Sequence, residues 1–240
     1  MPYYYYGFDW TYIVLVLPCI IFSLIASASV NSTFKKYSSQ ISVRRITGAQ
    51  AAQRVLTSNG VNGVRIERVA GNLTDHFDPK SNVIRLSESV YDSASTAAIG
   101  VACHEAGHAV QYANDYFPIK IRAAIIPITN FGSKLAMPLI LLGILFSAIG
   151  SFSNTLVYIG IACFGLSLLF QLITLPVEFN ASRRAIESIE ENGILTDEEQ
   201  KGARKTLRAA ALTYVAATAV ALAQLIRLIS IFGNRGRRRN

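Results

Sequence analysis

The chain has 240 residues, 51% of them hydrophobic and 16% charged, with a formal net charge of +8. That is too apolar for an ordinary soluble domain, and the apolar residues fall in blocks, so several membrane spans plus one small domain are expected. The basic residues flank those blocks and form no stripe interleaved with aromatics, which suits a lipid bilayer as partner and argues against nucleic acid.

The three cysteines, Cys19, Cys103 and Cys163, give no disulfide framework. From Trp10 to Val30 no residue is charged, a run of the ~20 residues a transmembrane helix needs. Residues 10–30 are therefore predicted as the first membrane helix, where Pro18 is tolerated better than in a soluble helix. Tyr3 to Tyr6, Trp10 and Tyr12 suit the membrane interface at its start. A cleaved signal peptide ending at Ala26-Ser27-Ala28 is the rival reading, but a basic leading segment is missing and the apolar run is long. Lys35, Lys36, Arg44 and Arg45 follow and place this end of the helix in the cytoplasm.

Residues 31–134 are predicted to hold the domain. Thr47 caps a helix from Gly48 to about Ser58, with Ala51, Ala52, Val55 and Leu56 as its apolar face and Gly60 as its stop. Val64 to Val69 alternates apolar and charged residues in the manner of a strand. Leu73 to Phe77 and Asn82 to Ser87 flank the turn signal Asp78-Pro79-Lys80-Ser81, which predicts a hairpin in a small sheet. A strand beside a catalytic helix can bind a substrate backbone by strand addition, or be an ordinary sheet edge. Ser93 or Ser95 caps the next helix, predicted over about 95–114.

Pro118 and Pro127 are expected to break the chain, leaving Ile119 to Phe131 as an interfacial segment. Leu135 to Ile149 and Leu156 to Leu175, joined by the uncharged link Gly150 to Thr155, predict a membrane hairpin over 135–175. Its first helix is short and begins near Lys134, which snorkels. After Pro176 the chain turns polar, and helical periodicity runs to Glu191 with Gly193 as its stop. Thr196 with Glu199 resembles a capping box for a further helix, so 176–208 reads as a helical pair. Ala209 to Phe232 is a fourth apolar block, crossing or associating with the membrane, and 233–240 is a basic tail.

One stretch carries chemistry: His104-Glu105-Ala106-Gly107-His108. Histidines at i and i+4 project from one helix face, a turn apart, and can grip one zinc ion. The intervening Glu105 then stands beside the open coordination site as a general base. A helix that merely carries two surface histidines is the bland alternative. Against it, the chain has only three histidines, and the flanking residues Ala97, Ala98, Ile99, Val101, Ala102, Ala106, Ala109 and Val110 are those of a buried helix. Cys103 points about 100° around the helix from His104 and reads as a small core residue.

A catalytic zinc site needs a third protein ligand. Glu178 is the one acid between Tyr116 and Ile186, where a membrane helix returns to the domain's side. It reads as the third ligand, or as a solvated helix-end residue. His76 is the remaining histidine and would make a three-histidine site. If Glu178 is the ligand, His76 is free to hydrogen bond to substrate or to the developing oxyanion, or to support the Asp75–Asp78 turn.

His104-Glu105-Ala106-Gly107-His108-Ala109-Val110-Gln111, with Leu73-Thr74-Asp75-His76-Phe77-Asp78-Pro79, Ile84-Arg85-Leu86-Ser87 and Pro176-Val177-Glu178-Phe179-Asn180-Ala181-Ser182-Arg183-Arg184, resembles the YugP-type neutral zinc metallopeptidases. The resemblance covers nearly the whole chain and implies a multi-pass protein of a bacterial plasma membrane. The zinc helix and Glu helix are also similar to the HtpX and CAAX-prenyl endopeptidase group, whose second helix carries Glu-x-x-x-Asp. Glu178 matches that ligand, but Ser182 stands in place of the Asp. The supporting contact is therefore expected to be weaker, or to come from Asn180 or Arg183.

The expected molecule is an α+β membrane protein, with transmembrane helices and a small gluzincin-like zinc-peptidase domain facing the cytoplasm. Zn²⁺ held by His104, His108 and Glu178 would serve hydrolysis of a protein or peptide substrate, with Glu105 as base and His76 or an arginine near Glu178 at the oxyanion. The alternatives are a non-catalytic zinc-binding scaffold and an ion-binding transporter. A structural zinc needs no base at Glu105, and the charge closest to mid-span is Arg227, near a helix end.

Overall fold

The computed structural model describes residues 9–146 and 151–233. Tyr3 to Tyr6, residues 147–150 of the predicted hairpin and link, and the arginines of the tail lie outside the described residues. The elements are a π-helical turn at Tyr12–Val16, α1 (Leu17–Ser38), α2 (Gly48–Ser58), β1 (Arg65–Val69), β2 (His76–Asp78), β3 (Val83–Ser87), α3 (Glu88–Tyr91), α4 (Thr96–Ala113), α5 (Phe117–Leu145), α6 (Ser151–Glu191) and α7 (Asp197–Phe232). Among the described residues, four helical stretches are long and apolar enough to cross a membrane: Tyr12–Ser38, Phe117–Leu145, Phe152–Glu191 and Asp197–Phe232. With the three-stranded sheet, this is the expected α+β membrane class.

The prolines do not act as breaks. Pro118 sits in the first turn of α5, where its missing N–H would be unpaired in any case. Pro127 and Pro138 lie inside α5, and Pro176 inside α6, without interrupting either helix. Long apolar helices tolerate such residues because neighbouring groups satisfy the freed backbone. Ile119 to Phe131 is thus part of one helix with Leu135, and not a separate interfacial segment. Likewise α7 runs unbroken from its capping residues, Thr196 and Glu199, through the apolar block to Phe232.

Residues Ala26–Ala123 and Ile173–Thr213 form one compact unit. In it, β3 is the central strand, paired in parallel with β1 and antiparallel with β2 in the register Phe77↔Ile84. The predicted strand from Leu73 shortens to His76–Asp78. Leu73 takes a positive φ, and the Asp75 carboxylate binds Ser87 N and Oγ at 2.7 and 3.1 Å. Thr47 caps α2 through a capping box with Gln50, and the Ser95 hydroxyl accepts from Ala98 N at the start of α4. Leu56, Ile84, Leu86, Ile99, Val110 and Ile189 are fully buried in a common core, so α4 is gripped between α2, the sheet and α6.

The second unit comprises the described residues of Met1–Ile25, Ala124–Leu172 and Tyr214–Asn240. Ile140, Val157, Leu228 and Phe232 form its apolar core. A Cβ on Gly160 would lie 2.9 Å from Ala136 O, so small residues let α5 and α6 approach closely. Arg227, the residue nearest to a mid-span charge, is paired with Asp9 at 2.9 Å from Nε and stands 5.3 Å from the Tyr12 ring centroid.

Candidate metal centre

The helical i, i+4 spacing on α4 brings His104 and His108 side by side, with ring centroids 4.7 Å apart. The third group comes from α6. One oxygen of Glu178, Oε2, lies 3.3 Å from His104 Nε2 and 3.5 Å from His108 Nε2. The donor atoms of the three residues all fall within 4.8 Å of one another. Two imidazole nitrogens and one carboxylate oxygen are a donor set that zinc accepts. The approach of the two helices depends on Gly107, since a Cβ there would stand 2.7 Å from Ala181 O.

The atoms behind these donors are organised as well. His104 Nδ1 lies 3.1 Å from Ser182 Oγ, and His108 Nδ1 lies 3.0 Å from Gln111 Oε1. An amide oxygen only accepts, so His108 Nδ1 carries a proton, which leaves Nε2 as the nitrogen that faces a metal. The orientation of Gln111 follows from its amide nitrogen, which donates to Val177 O at 2.8 Å and to Asn180 Oδ1 at 2.9 Å. Asn180 Oδ1 in turn accepts from Arg184 Nε at 2.8 Å. A chain of hydrogen bonds thus runs from Arg184 through Asn180 and Gln111 to His108. Such supports orient metal ligands and raise their basicity.

Glu178 is almost fully buried, and its second oxygen, Oε1, accepts from Arg122 Nη1 at 2.8 Å. Arg122 lies on α5, directly after the motif helix in the chain. Arg183, a sequence candidate for the supporting role, pairs instead with Glu187 at 2.9 Å. The supporting contact expected in place of the missing Asp comes from Ser182 itself at His104, and from Asn180 by way of Gln111 at His108.

Glu105 is buried on α4, and burial pushes its carboxyl up to about 7, the charges of Glu178 and Asp75 adding to the shift. The backbone N–H of Phe77 on β2 faces that carboxylate. His76, the neighbouring residue on β2, is exposed, and its Nδ1 lies 2.8 Å from Thr74 O. Among the described residues it stands outside the three-donor group. The sequence reading assigns no supporting role to Gln111 or Arg122. Gln111 carried a signal, being three residues after His108 on the same helix face. Arg122 carried none, since its bond to Glu178 joins two helices through residues 56 apart in the chain.

The family described as "Putative neutral zinc metallopeptidase" matches residues 12–233. The chain is 44% identical over 223 residues, 93% of its length, to "Putative membrane protease YugP" of Bacillus subtilis (strain 168), of which the match covers 97%. No solved structure matches the chain.

Proposed function

Because the chain belongs to the neutral zinc metallopeptidase family, we propose that it is a membrane-embedded endopeptidase in which His104, His108 and Glu178 hold zinc and Glu105 is the general base. The observation that carries this reading is the convergence of both Nε2 atoms on one Glu178 oxygen, with each Nδ1 turned to a polar support. Zinc, when bound, polarises the attacking water and the scissile carbonyl. Glu105 takes the proton from that water and passes it to the leaving amine. Burial raises this carboxyl, which favours its holding the proton between the two transfers.

Arg122 occupies Oε1 of Glu178 and so favours a single-oxygen ligand, leaving room beside the histidines. β2 is an edge strand, and a substrate backbone laid along it would pair as an added strand. His76, exposed on that strand, is the residue we assign as donor to the developing oxyanion.

The substrate is a protein or peptide that reaches the site from the cytoplasm or the membrane surface. Lys35, Lys36 and Lys134 flank the domain, and Arg183 and Arg184 follow the third span, which orients the site inward in a bacterial plasma membrane. A fourth full span puts the arginine-rich tail outside, an arrangement tolerated when earlier spans dominate orientation. Casein or peptide cleavage by the purified protein, abolished by chelation and restored by zinc, tests the reading. Undiminished cleavage after zinc removal overturns it.

A further inference from the structure

Two clefts in the unit that carries the metal centre share Arg208 and Leu212 as lining. The first lies between α6 and α7, has a volume of about 640 Å³, and offers Phe179, Ile186, Leu207, Ala211 and Leu212 as apolar lining. Its other cations, Arg183 and Arg204, are met by Glu187 and Glu190 at 2.9 and 3.3 Å. The second lies between α1 and α7 and is lined by Lys36, Lys205 and Arg208 with the hydroxyl-bearing Ser29, Thr33 and Tyr37. Among the described residues, none of these three cations has a carboxylate partner. Lys36 has only the Tyr37 ring, 5.6 Å away.

The positions of these residues along the chain give the setting. Lys36 is in the last turn of α1, after its apolar run, and Lys205 and Arg208 come just before the apolar block Ala209 to Phe232. Both are places where a membrane helix leaves the hydrocarbon for the headgroup layer. A cationic, hydroxyl-lined cleft that shares Arg208 and Leu212 as lining with a mainly apolar one matches a molecule with an anionic head and a hydrocarbon tail.

We infer that this is a binding site for one anionic glycerophospholipid. The phosphate lies among Lys36, Lys205 and Arg208, and one acyl chain lies in the α6–α7 cleft against Phe179 and Leu212. A free phosphate or a soluble phosphate ester shares the head chemistry but leaves the apolar cleft unfilled, so the lipid is the occupant that uses both. Ser182, which touches His104, also lines the α6–α7 cleft, so the acyl chain lies along the helix that carries Glu178.

The test is native mass spectrometry of the full-length, zinc-loaded protein released from nanodiscs of mixed phosphatidylcholine and phosphatidylglycerol. The protein is expected to retain one phosphatidylglycerol in preference to phosphatidylcholine. Lys36→Gln, Lys205→Gln and Arg208→Gln combined should lower that retention at least about tenfold. Leu212→Gln, which keeps all three charges, should lower it too, because the acyl contact is lost. Zinc content and gel filtration report folding, and if the triple variant does not fold, Arg208→Gln alone carries the comparison. Equal retention of the two lipids, or unchanged phosphatidylglycerol in the folded variants, overturns the inference. Displacement of phosphatidylglycerol by inorganic phosphate or glycerol phosphate at matching concentration also overturns it, in favour of a soluble anion. None of these readouts depends on peptide cleavage.

Discussion

Gly107 on α4 and Ala181 on α6 stand in van der Waals contact through backbone alone, since a Cβ on Gly107 would fall 2.7 Å from the Ala181 carbonyl oxygen. That approach sets the span between the two histidines on one helix and Glu178 on the other. Gly107→Ala should therefore push the helices apart, costing roughly 1–3 kcal/mol of stability, as overpacking does. It should also weaken zinc retention. Gly165→Ala, at a helical glycine with nothing within 4 Å of the added carbon, is the control and should leave both unchanged. Thermal unfolding with and without zinc, together with metal analysis, checks the pair.

The supports behind the histidines are the next prediction. Ser182→Ala and Gln111→Leu each remove the partner of one Nδ1. Each should lower zinc affinity or activity about 10–100-fold. Ser182→Asp places a stronger acceptor at the same position and should retain zinc at least as well as the parent chain. Competition titration against a chromogenic chelator measures all three.

Arg122 and Glu178 form a pair whose acidic member is almost fully buried. Removing the cation leaves an uncompensated carboxylate, a loss on the order of 3 kcal/mol for a buried pair. Arg122→Met should accordingly lower the unfolding temperature of the zinc-free protein. Added zinc should recover much of that loss, because the metal supplies the missing positive charge. Calorimetry of both forms shows whether zinc narrows the gap between variant and parent.

Much of the domain could be read from local chemistry. Thr47 and Ser95 were identifiable as helix caps because a hydroxyl before an apolar-periodic run satisfies otherwise unpaired N–H groups. The hairpin followed from the turn signal at Asp78 to Ser81, whose carboxylate and hydroxyl bond within the turn at 2.7 Å. The parallel pairing of β1 with β3 and the short helix α3 had no local signature, because each depends on contacts between distant segments. The prolines misled for a physical reason: rules for soluble helices assign Pro127 a break, and a long apolar helix overrides them. At the site, the His104, Glu105 and His108 spacing is a property of one helix and was visible. The bonds that Ser182, Gln111 and Arg122 make are properties of three packed helices and were not.

The third ligand separates from its competitor by metal content. Glu178→Ala should lower zinc occupancy at low zinc, since it removes the oxygen on which both Nε2 atoms converge. His76→Ala should retain zinc even where activity falls, since His76 lies outside the three-donor group. Equilibrium dialysis at limiting zinc followed by metal analysis reads this directly, and the reverse pattern would assign the third position to His76.

The most direct measurement of the central claim is zinc-dependent cleavage of casein or a quenched peptide by the purified protein beside its Glu105→Gln variant, with zinc content determined on the same samples. Both ligating histidines remain in the variant, so zinc should be bound at parental level while the rate falls on the order of 10²–10⁴-fold. Near-parental cleavage by a zinc-loaded Glu105→Gln protein would contradict the account and remove Glu105 from the chemistry.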